Sequence, residues 1–323
     1  MLKIPSHTKF IKMEVQMTNP QLVSSDEIDL SELFRAIWQG KWLIIATTGI
    51  FTIVAIFFTL SLPDIYKSEV TLAPAEDNNL KVPGQLGGLA ALAGVNFGGQ
   101  GGDKTEFALE ILKSRAFLGQ FIEQNDLYVP IMAAKGWERA TNKLIIDPEI
   151  YNEEKQLWVR EVDEPFKPKP SMLETIEQFE KIFSVHQTKE NEFVILKLEH
   201  YSPYFARETI DKIVVAVNEN IRQRDIVQTN KRIEYLKRKM EETTVSSVKS
   251  MFYTLIEEQL KKLMMANVEN EYVLITIDKA FVSEKKHGPK RMLIVFSVAI
   301  FGFFISVIFS VIHFLFSRKI RSQ

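Results

Sequence analysis

The sequence predicts an α+β membrane protein in which two transmembrane helices flank one extramembrane domain, built from a small membrane-proximal α/β base and a long projecting helical hairpin or rod. Three observations lead there. Two long apolar runs carry no charged residue, short strand-forming segments recur between them, and neither Gly nor Pro interrupts the chain between Pro203 and Gly288.

The apolar runs are Trp42 to Leu62 and Met292 to Phe316, with His313 the only ionisable group in either. About 20 residues at 1.5 Å rise cover the roughly 30 Å hydrocarbon core of a bilayer, so both are long enough to span. Both are apolar all round, whereas a core helix of a soluble protein is usually shorter and keeps a polar stripe. Mostly polar residues precede the first run and no small-x-small cleavage pattern follows it, so it reads as a retained anchor and not a signal peptide. Two spans leave tails at 1–41 and 317–323 on one side and the domain at 63–291 on the other. Arg35, Lys41, Arg318, Lys319 and Arg321 flank the tails. Lys279, Lys285, Lys286, Lys290 and Arg291 crowd the loop side. Large domains translocate largely regardless of charge, so the short basic tails favour termini in the cytoplasm. In the second span Gly302, Ser306 and Ser310 recur every four residues, a small-residue stripe suited to close helix packing. Ordinary Gly/Ser scatter in a membrane helix gives the same pattern.

Between the spans, the base is assigned to 63–202 and 269–291 and the long helical segment to 203–268. Tyr66 to Ala73 is rich in strand formers and is ended by Pro74. Residues 84–102 hold eight of the fourteen glycines and read as a mobile loop. Its small apolar patch, Leu89 to Val95, suits docking on a neighbouring copy. From Thr105 to Glu123 apolar residues fall at three- and four-residue intervals, predicting one amphipathic helix. A short strand is expected at Leu157 to Val162, followed by a stiff connection at Pro165, Pro168 and Pro170. Ser171 and Glu174 form a capping-box pattern for a helix over Met172 to Phe183. Phe193 to His200 and Tyr272 to Ala280 read as strands.

The helical segment keeps a stripe through Ile210, Ile213, Val214, Val217 and Ile221, then Ile233, Leu236 and Met240, then Phe252, Leu255, Ile256, Leu260 and Leu263. One straight helix over Tyr204 to Val268 would be about 95 Å long. If the strands at Tyr66, Phe193 and Tyr272 share a sheet, the segment must leave that sheet and return. The weakest helix formers lie at Thr243-Thr244-Val245-Ser246-Ser247, so a hairpin turning there is preferred, with an uninterrupted rod as the alternative.

Composition narrows the function classes. The 323 residues carry 40 Lys+Arg against 41 Asp+Glu, and this balance excludes the basic excess of a nucleic-acid binder. The absence of Cys removes disulfides, thiolate zinc sites and cysteine nucleophiles. The five His residues show no metal-ligand spacing, and His200 near a strand end reads as a surface residue. Glu153-Glu154 and Glu257-Glu258 read as solvated faces. In Gly101-Gly102-Asp103-Lys104-Thr105, Asp103 separates Gly from Lys and repels an anion, so no phosphate loop is expected. Arg222, Arg224, Lys231, Arg232, Lys237, Arg238 and Lys239 read as helix-face ion pairing, with contact to an anionic polymer as the alternative. No catalytic, cofactor-binding or metal-binding residue emerges, and the expectation is a non-enzyme.

The two ends carry a family resemblance. Glu27-Ile28-Asp29-Leu30 with Leu33, then Gly40-Lys41-Trp42, resembles the start of the Wzz-type chain-length determinants, the polysaccharide co-polymerases. The likeness continues through Tyr66, Ala73-Pro74, Ile111-Leu112 and Ser114-Arg115 to Asp278, Ala280 and the membrane-proximal motif Pro289-Lys290-Arg291. The family segment before the second span is usually richer in proline, and here only Pro289 remains. The resemblance implies a bacterial inner-membrane protein with a periplasmic domain, assembled as a ring-shaped homo-oligomer. It further implies control of O-antigen chain length in the Wzy-dependent pathway, alongside a Wzy-type polymerase and polysaccharide growing on a lipid carrier, without cofactors or catalytic residues. A kinase-bearing relative would need a cytoplasmic ATPase domain, for which residues 317–323 leave no room. The alternative reading is a two-span sensory receptor with a periplasmic ligand-binding domain.

Overall fold

The computed structural model describes residues 37–75, 101–269 and 271–321. The motif at 27–33, the apolar patch at 89–95 and all of the 84–102 loop except Gly101 and Gly102 lie outside the described residues. The helices are α1 (Lys41–Ser61), α2 (Gly101–Lys113), α3 (Arg115–Gln124), α4 (Tyr128–Met132), α5 (Met172–Ile182), α6 (Pro203–Glu242), α7 (Ser246–Val268) and α8 (Arg291–Arg321). The strands are β1 (Tyr66–Pro74), β2 (Ala134–Glu138), β3 (Lys143–Ile146), β4 (Tyr151–Asn152), β5 (Leu157–Trp158), β6 (Phe183–Gln187), β7 (Val194–His200) and β8 (Leu274–Asp278). The described residues divide between two compact units, one holding 37–56 with 294–321 and the other holding those between 57 and 293.

In the first unit α1 and α8 pack together; both are long and apolar enough to cross a membrane. Thr47 and Thr52 on α1 donate their hydroxyls to the carbonyls of Leu43 and Thr48, both at 2.8 Å. Such back-bonding satisfies a hydroxyl where no water is at hand.

The second unit is organised by a four-stranded antiparallel sheet in the order β6-β7-β1-β8. The three strands expected from the sequence therefore do share one sheet, and β6, which the sequence reading does not assign beyond placing Phe183 at the end of a helix, is its fourth member. Alternation along β1 buries Ser68, Val70 and Leu72, and along β7 it buries Val194, Leu196, Leu198 and His200. This face meets Ile210, Ile213, Val217 and Ile221 of α6 and Leu112, Leu118, Phe121 and Ile122 of α2 and α3 in one core. Burial of such side chains stabilises by about 1.5–3 kcal/mol each.

Two local readings are corrected. The helix expected over 105–123 is two helices, because Ser114 adopts an extended conformation (φ -75°, ψ 133°) and its hydroxyl accepts the Phe117 N–H, capping α3. The strand expected over 157–162 is reduced to Leu157–Trp158, paired with Tyr151–Asn152. At α5 the capping box is present: Glu174 accepts the Ser171 N–H at 2.8 Å while Ser171 Oγ accepts the Glu174 N–H at 3.2 Å. Burial opposes the charge on Glu174, yet the Ser171 backbone and Arg160 together hold its carboxyl below the ordinary value.

The long helical segment is a hairpin. The break falls at Thr243 to Val245, with Thr243 (φ -96°, ψ 133°) and Val245 (φ -80°, ψ 117°) both extended. Here β-branched residues replace the good helix formers on either side. Beyond the base core, Ile233 and Leu236 of α6 pack against Leu255 and Ile256 of α7 in a second, smaller core.

Candidate functional site

Within the helix pair, Gly302, Ser306 and Ser310 lie on the line where α8 meets α1. Ser306 and Ser310 are buried. Ser306 Oγ lies within hydrogen-bond distance of the Gly302 carbonyl, at 2.6 Å, and of Thr47 Oγ1, at 2.5 Å. A Cβ on Gly302 would lie 2.9 Å from Cβ of Phe51, closer than real Cβ contacts, so Gly302 lets Phe51 pack directly onto the α8 backbone. The partner of the stripe in this chain is its own α1.

In the second unit, Pro289-Lys290-Arg291 leads into α8 beside the residues that follow α1. Arg291 Nη2 donates to the Leu62 carbonyl at 2.8 Å and to Asp64 Oδ1 at 2.9 Å, and Lys286 Nζ lies 3.4 Å from the same oxygen. The backbones are joined as well: Ile65 N–H donates to the Gly288 carbonyl at 2.9 Å, and the His287 and Gly288 N–H groups donate back to the Ile65 carbonyl at 2.8 and 3.1 Å. His287 Nε2 lies 3.4 Å from Glu199 on β7. Lys290 is exposed.

His200 is a correction to the surface reading. The period-2 alternation of β7 carries it onto the buried face, where its ring centroid lies 4.2 Å from that of Phe205 with the two planes tilted by 43°. Nε2 lies 3.0 Å from the Pro130 carbonyl and Nδ1 accepts the Ser202 N–H at 3.2 Å, which fixes the tautomer with the proton on Nε2. Burial, only partly opposed by the Pro130 bond, lowers its pKa to about 4. The histidine is a neutral core residue at ordinary pH and bridges α4 to the start of α6.

A groove of about 570 Å³ runs between α3 and α6. Phe117 and Phe121 contribute its aromatic side, and Gln120, Gln223, Arg224 and Lys231 its polar side. Its lining comes from segments about a hundred residues apart, so no local pattern announced it. Of the basic stretch on α6, Arg222 pairs with Glu219 and Lys239 with Glu242. Glu153 and Glu154 are solvated as expected. Glu258 departs from its reading: it is half-buried and its Oε2 has no partner among the described residues. Residues 101–105 lie at the start of α2, and Lys104 lies 3.7 Å from Asp225. Among the described residues no group of three or more His, Asp or Glu is placed to hold a metal ion.

Residues 26–125 match the family model of the chain length determinant protein, Wzz. The matched stretch includes α1, β1, α2 and α3, and the family is the one the N-terminal motifs resemble. Asp278, Ala280 and Pro289 to Arg291 lie outside the matched residues. The tyrosine-protein kinase etk of Escherichia coli K12 is 29% identical over 134 residues, 39% of this chain and 17% of the kinase. The tyrosine-protein kinase wzc of Salmonella typhi is 24% identical over 124 residues, 36% of this chain and 16% of the kinase. The chain therefore spans about a sixth of the length of these curated relatives. Among solved structures, a full-length bacterial polysaccharide co-polymerase aligns with TM-score 0.40 and 10% identity, covering 91% of this chain and 99% of that one. A fragment of the polysaccharide co-polymerase WzzB from Salmonella Typhimurium aligns with TM-score 0.30 and 9% identity, covering 70% of this chain and 100% of the fragment.

Proposed function

We propose that this protein regulates the chain length of a surface polysaccharide, the O-antigen of lipopolysaccharide, in the Wzy-dependent pathway. The observation that carries the reading is the match of residues 26–125 to the chain length determinant family. In this reading α1 and α8 anchor the chain in the bacterial inner membrane, residues 63–291 form the periplasmic domain, and both tails are cytoplasmic. Gly302, Ser306 and Ser310 hold the two spans together. Within the Pro289-Lys290-Arg291 motif, Arg291 fastens the start of α8 to the segment after α1. The domain assembles into a ring-shaped homo-oligomer that presents a non-catalytic scaffold to a Wzy-type polymerase and to polymer on its lipid carrier. The kinase activity in the relatives' names is not carried over, since the matched stretch is 17% of that kinase. No finding supports the two-span receptor reading.

The test is genetic. Deleting the gene should spread the modal band distribution of lipopolysaccharide on a gel, and complementation should restore it; an unchanged distribution refutes the function. Fusing a periplasm-dependent reporter after Gln100 and after Gln323 tests topology separately. Activity at the second site with silence at the first reverses the orientation.

A further inference from the structure

The residues that join the second unit to its two apolar helices carry an unbalanced positive charge. Between 284 and 291 stand Lys285, Lys286, Lys290 and Arg291, with Glu284 the only carboxylate in that stretch. Across from them, Asp64 takes both Arg291 and Lys286 on one oxygen, so a single negative charge serves two cations. His287 faces Glu199. Lys285 and Lys290 are exposed and have no carboxylate within ion-pair distance among the described residues. The apolar surface begins within the same few residues: Leu60, Met292 and Leu293 are all exposed, Met292 to 90%. Helix α8 also starts at Arg291 and turns the positive end of its dipole toward this cluster.

Exposed apolar side chains with unpaired ammonium groups close by in the chain match a lipid, which offers an acyl chain and a phosphate together. We propose that Lys285 and Lys290, set beside the Arg291–Asp64–Lys286 cluster, form a headgroup site for the phosphate of an anionic phospholipid. Arg291 is a positioning residue, since its guanidinium is committed to Leu62 and Asp64. The two free lysines make the contact. The inference rests on α1 and α8 spanning a membrane, and goes beyond it in assigning lipid selectivity to named side chains.

The experiment places the full chain in nanodiscs of phosphatidylcholine alone and of phosphatidylcholine mixed with phosphatidylglycerol, and counts retained lipids by native mass spectrometry. Wild type should retain phosphatidylglycerol preferentially. The double variant Lys285→Gln/Lys290→Gln should lose about thirtyfold in that preference, from about 1 kcal/mol per lysine near an anionic surface at 1.4 kcal/mol per tenfold. Lys261→Gln/Lys262→Gln on α7 should retain it. Equal retention by the double variant and wild type overturns the site while leaving the membrane reading intact. Displacement of phosphatidylglycerol by an equal concentration of inorganic phosphate overturns the lipid assignment in favour of a free anion. Failure of wild type to enter either disc overturns the membrane reading and the site with it.

Discussion

Replacing Asn218 by Ala should detach β8 from the domain. Asn218 is buried on α6 and closes the outer edge of the sheet: its Oδ1 accepts the Val273 and Leu274 N–H groups at 2.8 and 3.0 Å, and its Nδ2 donates to the Leu274 carbonyl at 3.0 Å. A second donor bond reaches the Val214 carbonyl at 3.2 Å. On the sheet side Leu274 stands opposite Pro74, which has no N–H to give. Asn218 therefore supplies the hydrogen bonds that another strand would supply. Asn218→Ala leaves three backbone groups of the 273–274 segment buried and unpaired. Each costs about 1–3 kcal/mol, and water entering the edge recovers part of that. The lower end, about 3 kcal/mol, is the expected loss. Hydrogen exchange on the detergent-solubilised chain reads this directly: protection of the Val273 and Leu274 amides should fall about a hundredfold, at 1.4 kcal/mol per tenfold, and the denaturation midpoint should drop with it. Wild-type exchange at those two amides in the variant would refute the reasoning.

Three further outcomes follow from named contacts. Gly302→Val puts a branched Cβ where Phe51 now sits and should cost about 1–3 kcal/mol of helix pairing; the chain has no Cys, so a cysteine pair at positions 47 and 306 reports it as slower cross-linking. His200 is neutral in the fold with a pKa of about 4 against an ordinary 6.5, so the unfolded chain binds its proton first as pH falls. The resulting stability is whole above about pH 6.5 and is lost progressively down to pH 4, about 3 kcal/mol in all; denaturation midpoints across that window should slope in wild type and flatten in His200→Phe. Ser171→Ala removes one half of the α5 capping box and should lower the midpoint by about 1 kcal/mol, with the Arg160–Glu174 pair at 2.6 Å still formed.

What the sequence made legible was local in origin. The two apolar runs, the Ser171 and Glu174 spacing, the alternation of β7 and the poor helix formers at Thr243 to Val245 each act through neighbouring residues. The break at Ser114 was hidden because Ile111, Leu112, Phe117 and Leu118 keep a helical stripe across it. No Glu follows at the reciprocal capping position, where Phe117 stands. Strand β6 was hidden because Phe183 continues the apolar face of α5; pairing with β7 decides its conformation, and that is a tertiary effect. The burial of His200 could have been read from the same alternation that places Leu196 and Leu198. Asn218 and the groove between α3 and α6 depend on partners dozens of residues away, which no periodicity displays.

The two cores of the second unit differ in what they can sustain. The base core joins a sheet face to five helices, whereas the hairpin is held by Ile233, Leu236, Leu255 and Ile256 with a few partly buried neighbours. The hairpin core is the smaller of the two and contributes less burial per ordered residue than the base core. Two oxygens there, Glu258 Oε2 and Gln259 Oε1, are also buried without a partner among the described residues, which weakens the hairpin further. The stiff continuation of α6 out of the base supplies part of the missing stability, because its first turns are already fixed. The outer face of α7, where Tyr253, Leu260, Met264 and Val268 stand exposed, contributes nothing within one chain.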